Sequence, residues 1–363
     1  MTWTAWRQQA QDFADASISR LMRDEVFDFF AGHIDPLWTR RRILVEVTAM
    51  HAVGGDVLSL RLRSHHRLTP GPAGRHIELC AVIDGVRVCR SYTPLFIGEH
   101  ELEVGIKKIS HGRFSSWIHS QLRVGDLLEI GQIYGQTALS ALTIEQTPAL
   151  IAAGSGMTLA MAMLYDFAER RRMQPVRLLQ YARSADDLVY LEELAVLQQR
   201  LPHLQVFFAL TQKPDSSTPL HGHFDATHWQ ALDLPADSPV LVCGPASLVD
   251  AVQEVLHGLG HRGEMHVEAY HRDLHMAPDG AAVTVRVKDR AVAMTTQQLL
   301  LESLEAAGLQ PAYGCRQGIC MSCTCRKLQG RVQNAIDGSI SEEGEEDIRL
   351  CISRPLTDID LSL

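Results

Sequence analysis

The chain has 363 residues, 46% of them apolar and 21% charged, with 34 Lys plus Arg against 43 Asp plus Glu for a formal net charge of -9. At roughly 150 residues per domain, that length calls for two or three domains with apolar material for their cores, which excludes a single small module. The acidic balance offers nothing to neutralise a phosphate backbone and argues against a nucleic-acid partner, and no apolar run reaches the roughly 18 residues of a membrane span.

The first residues carry Arg7, Asp12, Asp15 and Arg20, where a secretory signal needs an uninterrupted apolar core, so a cytoplasmic protein is expected. Residues 1–42 hold Trp3, Trp6 and Trp38, with Phe13, Ile18, Leu21 and Met22 at helical spacing and a basic run from Arg40 to Arg42. They read as an amphipathic helical extension that packs on the next domain or docks a partner or membrane face. From 43 to 146 the signals are β. Leu58, Leu60 and Leu62 alternate with polar residues, and Asp84-Gly85 suits a type I′ hairpin turn, so a small antiparallel barrel is expected. From 147 to 272, apolar strands at 149–153, 176–181, 206–210, 240–242 and 265–267 alternate with helical stretches, the pattern of a parallel α/β sheet. A breaker-rich linker at 273–280 precedes a third unit, 281–363. It opens on Val283, Val285 and Val287 and continues through a helix at 296–307 that ends at Gly308.

Eight cysteines are too few for a disulfide scaffold of this size, and five of them crowd between 315 and 351, while Cys80, Cys89 and Cys243 are scattered. Cys315, Cys320 and Cys323, with the distant Cys351, have the spacing of a plant-type [2Fe-2S] site. Four thiolates balance two ferric ions and two sulfides, and Gly314 and Gly318 let backbone amides approach the sulfurs. Cys325 falls outside the pattern and is read as non-ligating. The rival is a four-cysteine zinc site, which Cys320 and Cys323 could half supply.

Arg90, Ser91, Tyr92 and Thr93 end a strand. The arginine suits a pyrophosphate, the tyrosine can stack on an isoalloxazine ring, and the threonine can hydrogen-bond the flavin N5 edge. Ile106 and Lys107 follow, then Gly112 and Ser115 in a turn leading to a helix whose first amides suit a phosphate. Gly154-Ser155-Gly156-Met157-Thr158 lies between a strand and a helix. Leu159 stands where a third glycine would complete the Rossmann fingerprint, yet small residues still let a diphosphate approach the backbone. Arg183 suits a 2′-phosphate and so NADP. Cys243-Gly244-Pro245 would place a thiol beside the nicotinamide.

In that order these motifs resemble the ferredoxin-NADP reductase superfamily fused to a C-terminal plant-type ferredoxin, over residues 43–363. The resemblance implies a multidomain α+β fold: an FAD-binding antiparallel β-barrel, a parallel α/β nucleotide-binding domain and a C-terminal β-grasp ferredoxin-like domain. It implies an NAD(P)H-dependent oxidoreductase. NADPH, or NADH in its place, gives a hydride to FAD near Thr93 and Cys243, and electrons then pass singly through the cluster to an external redox protein. By the same analogy Glu268 and Tyr270 line the flavin or nicotinamide. Pro36-Leu37-Trp38, the string from Cys320 to Cys325 and the ending from Cys351 to Pro355 look most like reductases that serve fatty-acyl desaturases, which would bring the protein to a membrane through its acceptor. The alternative acceptor is a Rieske or di-iron oxygenase component, and a zinc-stabilised interaction module is the non-redox rival. A haem-linked reductase finds no globin-sized segment. Leu159 replaces a proline usual in the family, and Met321 a glycine.

Overall fold

The computed structural model describes residues 23–363 apart from 69–72, 111, 135–145, 172–173, 213–219, 271–279, 315, 317, 319–320 and 337, with backbone alone at 269–270. Trp3, Trp6, Phe13, Ile18, Leu21, Met22, most of the expected linker, Cys315 and Cys320 therefore lie outside the described residues. Helix α1 (Asp24–Ile34) is held by ion pairs: Arg40 reaches Asp24 at 3.8 Å and Arg41 reaches Glu25 at 3.1 Å, while Phe29, Phe30 and Ile34 stay exposed.

The next unit contains β1 (Ile43–Ala52), β2 (Val57–Arg63), β3 (His76–Ile83), β4 (Val86–Tyr92), β5 (Pro94–Phe96), β6 (Glu101–Lys107), α2 (Arg113–Ser120) and β7 (Leu127–Tyr134). The strands form one antiparallel sheet in the order β4-β3-β7-β1-β2-β6-β5. Alternation puts Leu60 and Leu62 into a core shared with Phe114 and Ile118 of α2. Asp84 and Gly85 turn the β3–β4 hairpin with φ of 51° and 75°, the type I′ geometry expected. Cys80 and Cys89 are register partners across that hairpin and form a disulfide, so they are not merely scattered. The expected barrel is not closed by hydrogen bonds. β4 and β5 are the two ends of the ladder, joined covalently through Thr93, and Pro94 has no N–H to donate.

The second unit runs β8 (Ala149–Ala153), α3 (Met157–Glu169), β9 (Val176–Ala182), α4 (Leu191–Arg200), β10 (Leu204–Leu210), β11 (Leu220–His221), α5 (Ala226–Ala231), β12 (Val240–Pro245), α6 (Ala246–Gly258) and β13 (Met265–Tyr270). All five expected strands are present and parallel, with the short β11 added, in the order β11-β10-β9-β8-β12-β13. The winding reverses between β8 and β12, so a crevice opens at their carboxyl ends, where ligands bind in such sheets. Two glycines let this unit press on the first. A Cβ on Gly54 would lie 2.2 Å from Leu188 O, and one on Gly105 would lie 2.0 Å from the Tyr190 hydroxyl. The Tyr190 amide donates to Val53 O at 2.7 Å.

The third unit has β14 (Ala282–Val287), β15 (Arg290–Thr295), α7 (Leu300–Ala306), β16 (Thr324–Gln329), β17 (Val332–Asn334), β18 (Glu346–Arg349), β19 (Ser353–Pro355) and β20 (Ile359–Ser362). A mixed sheet in the order β15-β14-β20-β16-β18 has β14 parallel to β20, and β17 pairs with β19 beside it. The helix starts four residues later than the sequence suggested, because Gln298 accepts from the Thr295 amide at 2.9 Å and holds a turn first. It stops before Gly308, whose φ is 77°.

Candidate active site

A cavity of about 820 Å³ opens where the first sheet meets the crevice of the second. Of the residues singled out from sequence, Ser91, Tyr92, Thr93, Lys107, Gly154, Ser155, Thr158, Arg183 and Pro245 line it. Arg90, Ile106, Gly112, Ser115, Gly156, Met157, Cys243 and Gly244 are not in its lining.

The strand end that carries the tetrad is built for alternation. Arg90 is half-buried with its guanidinium on Cys89 O at 2.7 Å, and Tyr92 lies 6.1 Å, ring to ring, from Phe114. Burial pushes the Tyr92 phenol well above its usual range, so it is neutral. The Ser91 hydroxyl bonds the Tyr134 hydroxyl, and the buried Thr93 hydroxyl sits 3.3 Å from His76 Nδ1. At the helix α2 entrance the Ser115 hydroxyl accepts the Ile109 amide at 3.2 Å. A Cβ on Gly112 would come within 2.7 Å of that hydroxyl. This turn is closed by its own serine, and the glycine makes room for it.

The glycine turn forms a 3-10 loop, Gly154–Gly156, that runs directly into α3. Gly154 has φ of 55°, and the Thr158 hydroxyl donates to Ser155 O at 2.8 Å. Gly156 is forced: a Cβ there would lie 2.1 Å from Cys243 O. The Lys107 ammonium lies 3.4 Å from where a Gly154 Cβ would stand, which puts a cation over the loop. The turn therefore joins helix amides, a close backbone approach and a positive charge, the combination that holds a diphosphate. Arg183 is paired with Asp187 at 3.0 Å, and Ser184 donates to the same carboxylate at 2.9 Å. Cys243 is buried in the apolar core, paired in register with Ala152 and Glu268 rather than lining the cavity.

Sequence reasoning missed His76; Glu268, expected by analogy to line the flavin or nicotinamide, is in the cavity wall. Glu268 Oε1 lies 3.5 Å from His76 Nε2, and both line the cavity. Burial raises Glu268 from 4.5 to about 7 and lowers His76 from 6.5 to about 4, so each is held toward its neutral form. The only early signal for His76 was a histidine at the start of a mostly apolar strand.

In the third unit Cys323 and Cys351 are buried and not disulfide-bonded, and the Gly318 amide donates to Cys351 Sγ at 3.2 Å. A backbone N–H aimed at a buried thiol sulfur suits a thiolate that ligates a cluster, so the described part of the site fits iron–sulfur ligation. Cys325 is different. Burial and the nearby Asp347 charge push its thiol up to about 11, and it donates to Ser362 O at 3.4 Å, which marks a protonated core residue. The loop carrying Cys323 touches the first unit: the Ser322 hydroxyl donates to Gln132 Oε1 at 3.1 Å, two residues along β7 from Tyr134.

Three family models match in series. The FAD-binding domain of oxidoreductases covers residues 44–138, the oxidoreductase NAD-binding domain 150–254 and the 2Fe-2S iron-sulfur cluster binding domain 283–356. The reductase subunit of the toluene-4-sulfonate monooxygenase system of Comamonas testosteroni is 30% identical over 85% of this chain and 95% of its own length. The chain belongs to this family of flavin and iron–sulfur reductases. One subunit of the 1,2-phenylacetyl-CoA epoxidase of Escherichia coli is 28% identical over 82% of this chain and 88% of its own. In fold the chain is similar to phthalate dioxygenase reductase, with a TM-score of 0.62 and 21% identity over 89% of this chain and 98% of the other. The reductase uses FAD, a [2Fe-2S] cluster and NAD(P)H, which removes the zinc-module reading. Among the described residues, no helix is long and apolar enough to cross a membrane.

Proposed function

We propose that this reductase is the electron-supplying component of an oxygenase system, taking electrons from NAD(P)H and delivering them singly to a separate oxygenase. The observation that carries the reading is the match to a monooxygenase reductase subunit along 95% of that subunit's length, through all three units in the same order. FAD, when bound, takes up a hydride from the nicotinamide and releases electrons one at a time, and the cluster relays them. The chain's own residues supply position. Arg90, Ser91, Tyr92 and Thr93, with Ile106, Lys107 and the Gly112–Ser115 turn, hold the flavin. Gly154, Ser155, Gly156, Met157 and Thr158 take the nucleotide diphosphate, Arg183 the 2′-phosphate, and Cys243, Gly244 and Pro245 back the nicotinamide. Cys315, Cys320, Cys323 and Cys351 ligate the cluster.

The relatives favour an oxygenase acceptor over the fatty-acyl desaturase suggested by the sequence strings. Reconstitution decides between them. The purified reductase with NADPH or NADH is mixed with a Rieske oxygenase, a di-iron oxygenase or a desaturase preparation, and acceptor-dependent nucleotide oxidation is followed. Product from an oxygenase supports the proposal; turnover with the desaturase alone refutes it.

A further inference from the structure

The strand that leads into Cys351 ends on Arg349, which is half-buried and whose side chain donates from Nη1 to the carbonyl oxygen of Gly318. Gly318 is the residue whose amide donates to Cys351 Sγ at 3.2 Å. One guanidinium therefore grips the residue that hydrogen-bonds the sulfur, from the neighbouring strand end. Gly318 has little freedom of its own. Its φ is 74°, and a Cβ would lie 2.7 Å from Ile352 Cδ1, so glycine is required for the loop to close over the sulfur. On the other side of the loop, Arg316 is clamped to Glu305 of α7 by two hydrogen bonds, at 2.9 and 2.5 Å, and covers the Tyr313 ring at 4.0 Å. Its charge is thus already paired, as is that of Arg326 with Asp347 and Glu345 at 3.1 and 3.3 Å.

We propose that Arg349 is a positioning residue that sets the reduction potential of the iron–sulfur centre by holding the Gly318 amide on Cys351 and placing a cation beside it. This rests on the reading of Cys351 as a cluster ligand. Two physical effects act in the same direction. A hydrogen bond to a thiolate withdraws charge from the sulfur, and a nearby cation favours the state with one more electron. Both raise the potential, so loss of Arg349 lowers it.

The test is an EPR-monitored redox titration of the intact holoprotein carrying Arg349→Gln. At a fixed ambient potential, its reduced-to-oxidised cluster ratio is expected to fall about tenfold, equal to about 59 mV for a one-electron couple. Arg349→Lys keeps the charge but loses the planar fork, and its ratio is expected to fall about threefold. If Arg349→Gln loses the cluster on purification, the Lys variant carries the test. A Gln variant with the parent's potential, or a Lys variant with the parent's potential where Gln yields no cluster, overturns the inference. A merely structural role would lower thermal stability and leave the potential in place. Failure of the ligand reading shows itself separately, as a parent protein with no labile sulfide and no reduced-cluster EPR signal.

Discussion

Replacing Glu268 by Gln should make the fold more stable at neutral and alkaline pH, and only there. The fold holds this carboxyl at about 7, against an ordinary 4.5, because it is buried in the cavity wall. Between those two values the folded chain keeps a proton that the unfolded chain has lost, so stability declines as pH rises from 4.5 to about 7 and stays reduced above. At 1.36 kcal/mol per tenfold in proton affinity, the loss is about 3 kcal/mol. His76 acts in the opposite sense. Held at about 4 against 6.5, it sheds a proton that the unfolded chain keeps, so its contribution grows as pH rises through that window and is lost as pH falls. In the wild type the two slopes cancel over the shared window, where a proton has in effect moved from histidine to glutamate. Glu268→Gln uncovers the histidine slope. Unfolding free energies of both proteins, from urea titrations followed by tryptophan fluorescence across roughly pH 4 to 8, should coincide at the acid end and differ by about 3 kcal/mol at the alkaline end. A difference that is constant with pH would refute the reasoning, because it would show that Glu268 ionises in the fold as it does in water.

Three further outcomes follow from the structure. Cys351→Ala should lose iron and labile sulfide, whereas Cys325→Ala should retain both, since the Cys325 thiol is protonated and bonded to Ser362 O; inorganic iron and sulfide assays read the result. Gly156→Ala forces α3 away from Cys243 O, costing about 1–3 kcal/mol. It should keep the flavin while slowing flavin bleaching by NADPH in stopped flow. Lys327 is fully buried with its ammonium on Gly330 O, Glu342 O and Gly344 O at 2.7, 2.8 and 2.6 Å. Lys327→Met leaves those carbonyls without their cation and should destabilise the third unit by about 3 kcal/mol, measured by thermal unfolding.

What could be read from the sequence was local in the chain. The Asp84-Gly85 turn, each parallel strand, the glycine loop at 154–156 and the close cysteines from 315 to 323 each depend on residues within one short segment, and each carries its reason in side-chain size, period or spacing. The disulfide was within reach on the same terms, because Cys80 and Cys89 lie equally far from a turn already placed. Thr93 was found through its strand but not its partner: His76 lies seventeen residues earlier, and only the β3–β4 pairing brings them together. Glu268 comes from a third segment, the last strand of the second sheet. A site assembled from three strand ends leaves no spacing for a sequence pattern to detect. The Cys243 expectation shows the converse. A motif placed its backbone at a strand end, whereas its side chain lies in the apolar core shared with α3.

The proposed electron path has to cross from one unit to the next although each motif is self-contained. A reductase that turns a two-electron donor into a one-electron supply needs its two redox groups near one another and the second of them near the surface. Ser322, adjacent to Cys323, meets Gln132 on β7, the strand whose Tyr134 hydroxyl bonds the cavity residue Ser91. On the other side of the same loop, Met321 is exposed with φ of 62°. The loop thus has one residue against the flavin unit and the preceding residue in solvent, where an acceptor can approach. A substitution at Met321 should therefore alter delivery to the acceptor, and one at Gln132 transfer into the cluster, although the two residues flank the same short stretch of chain.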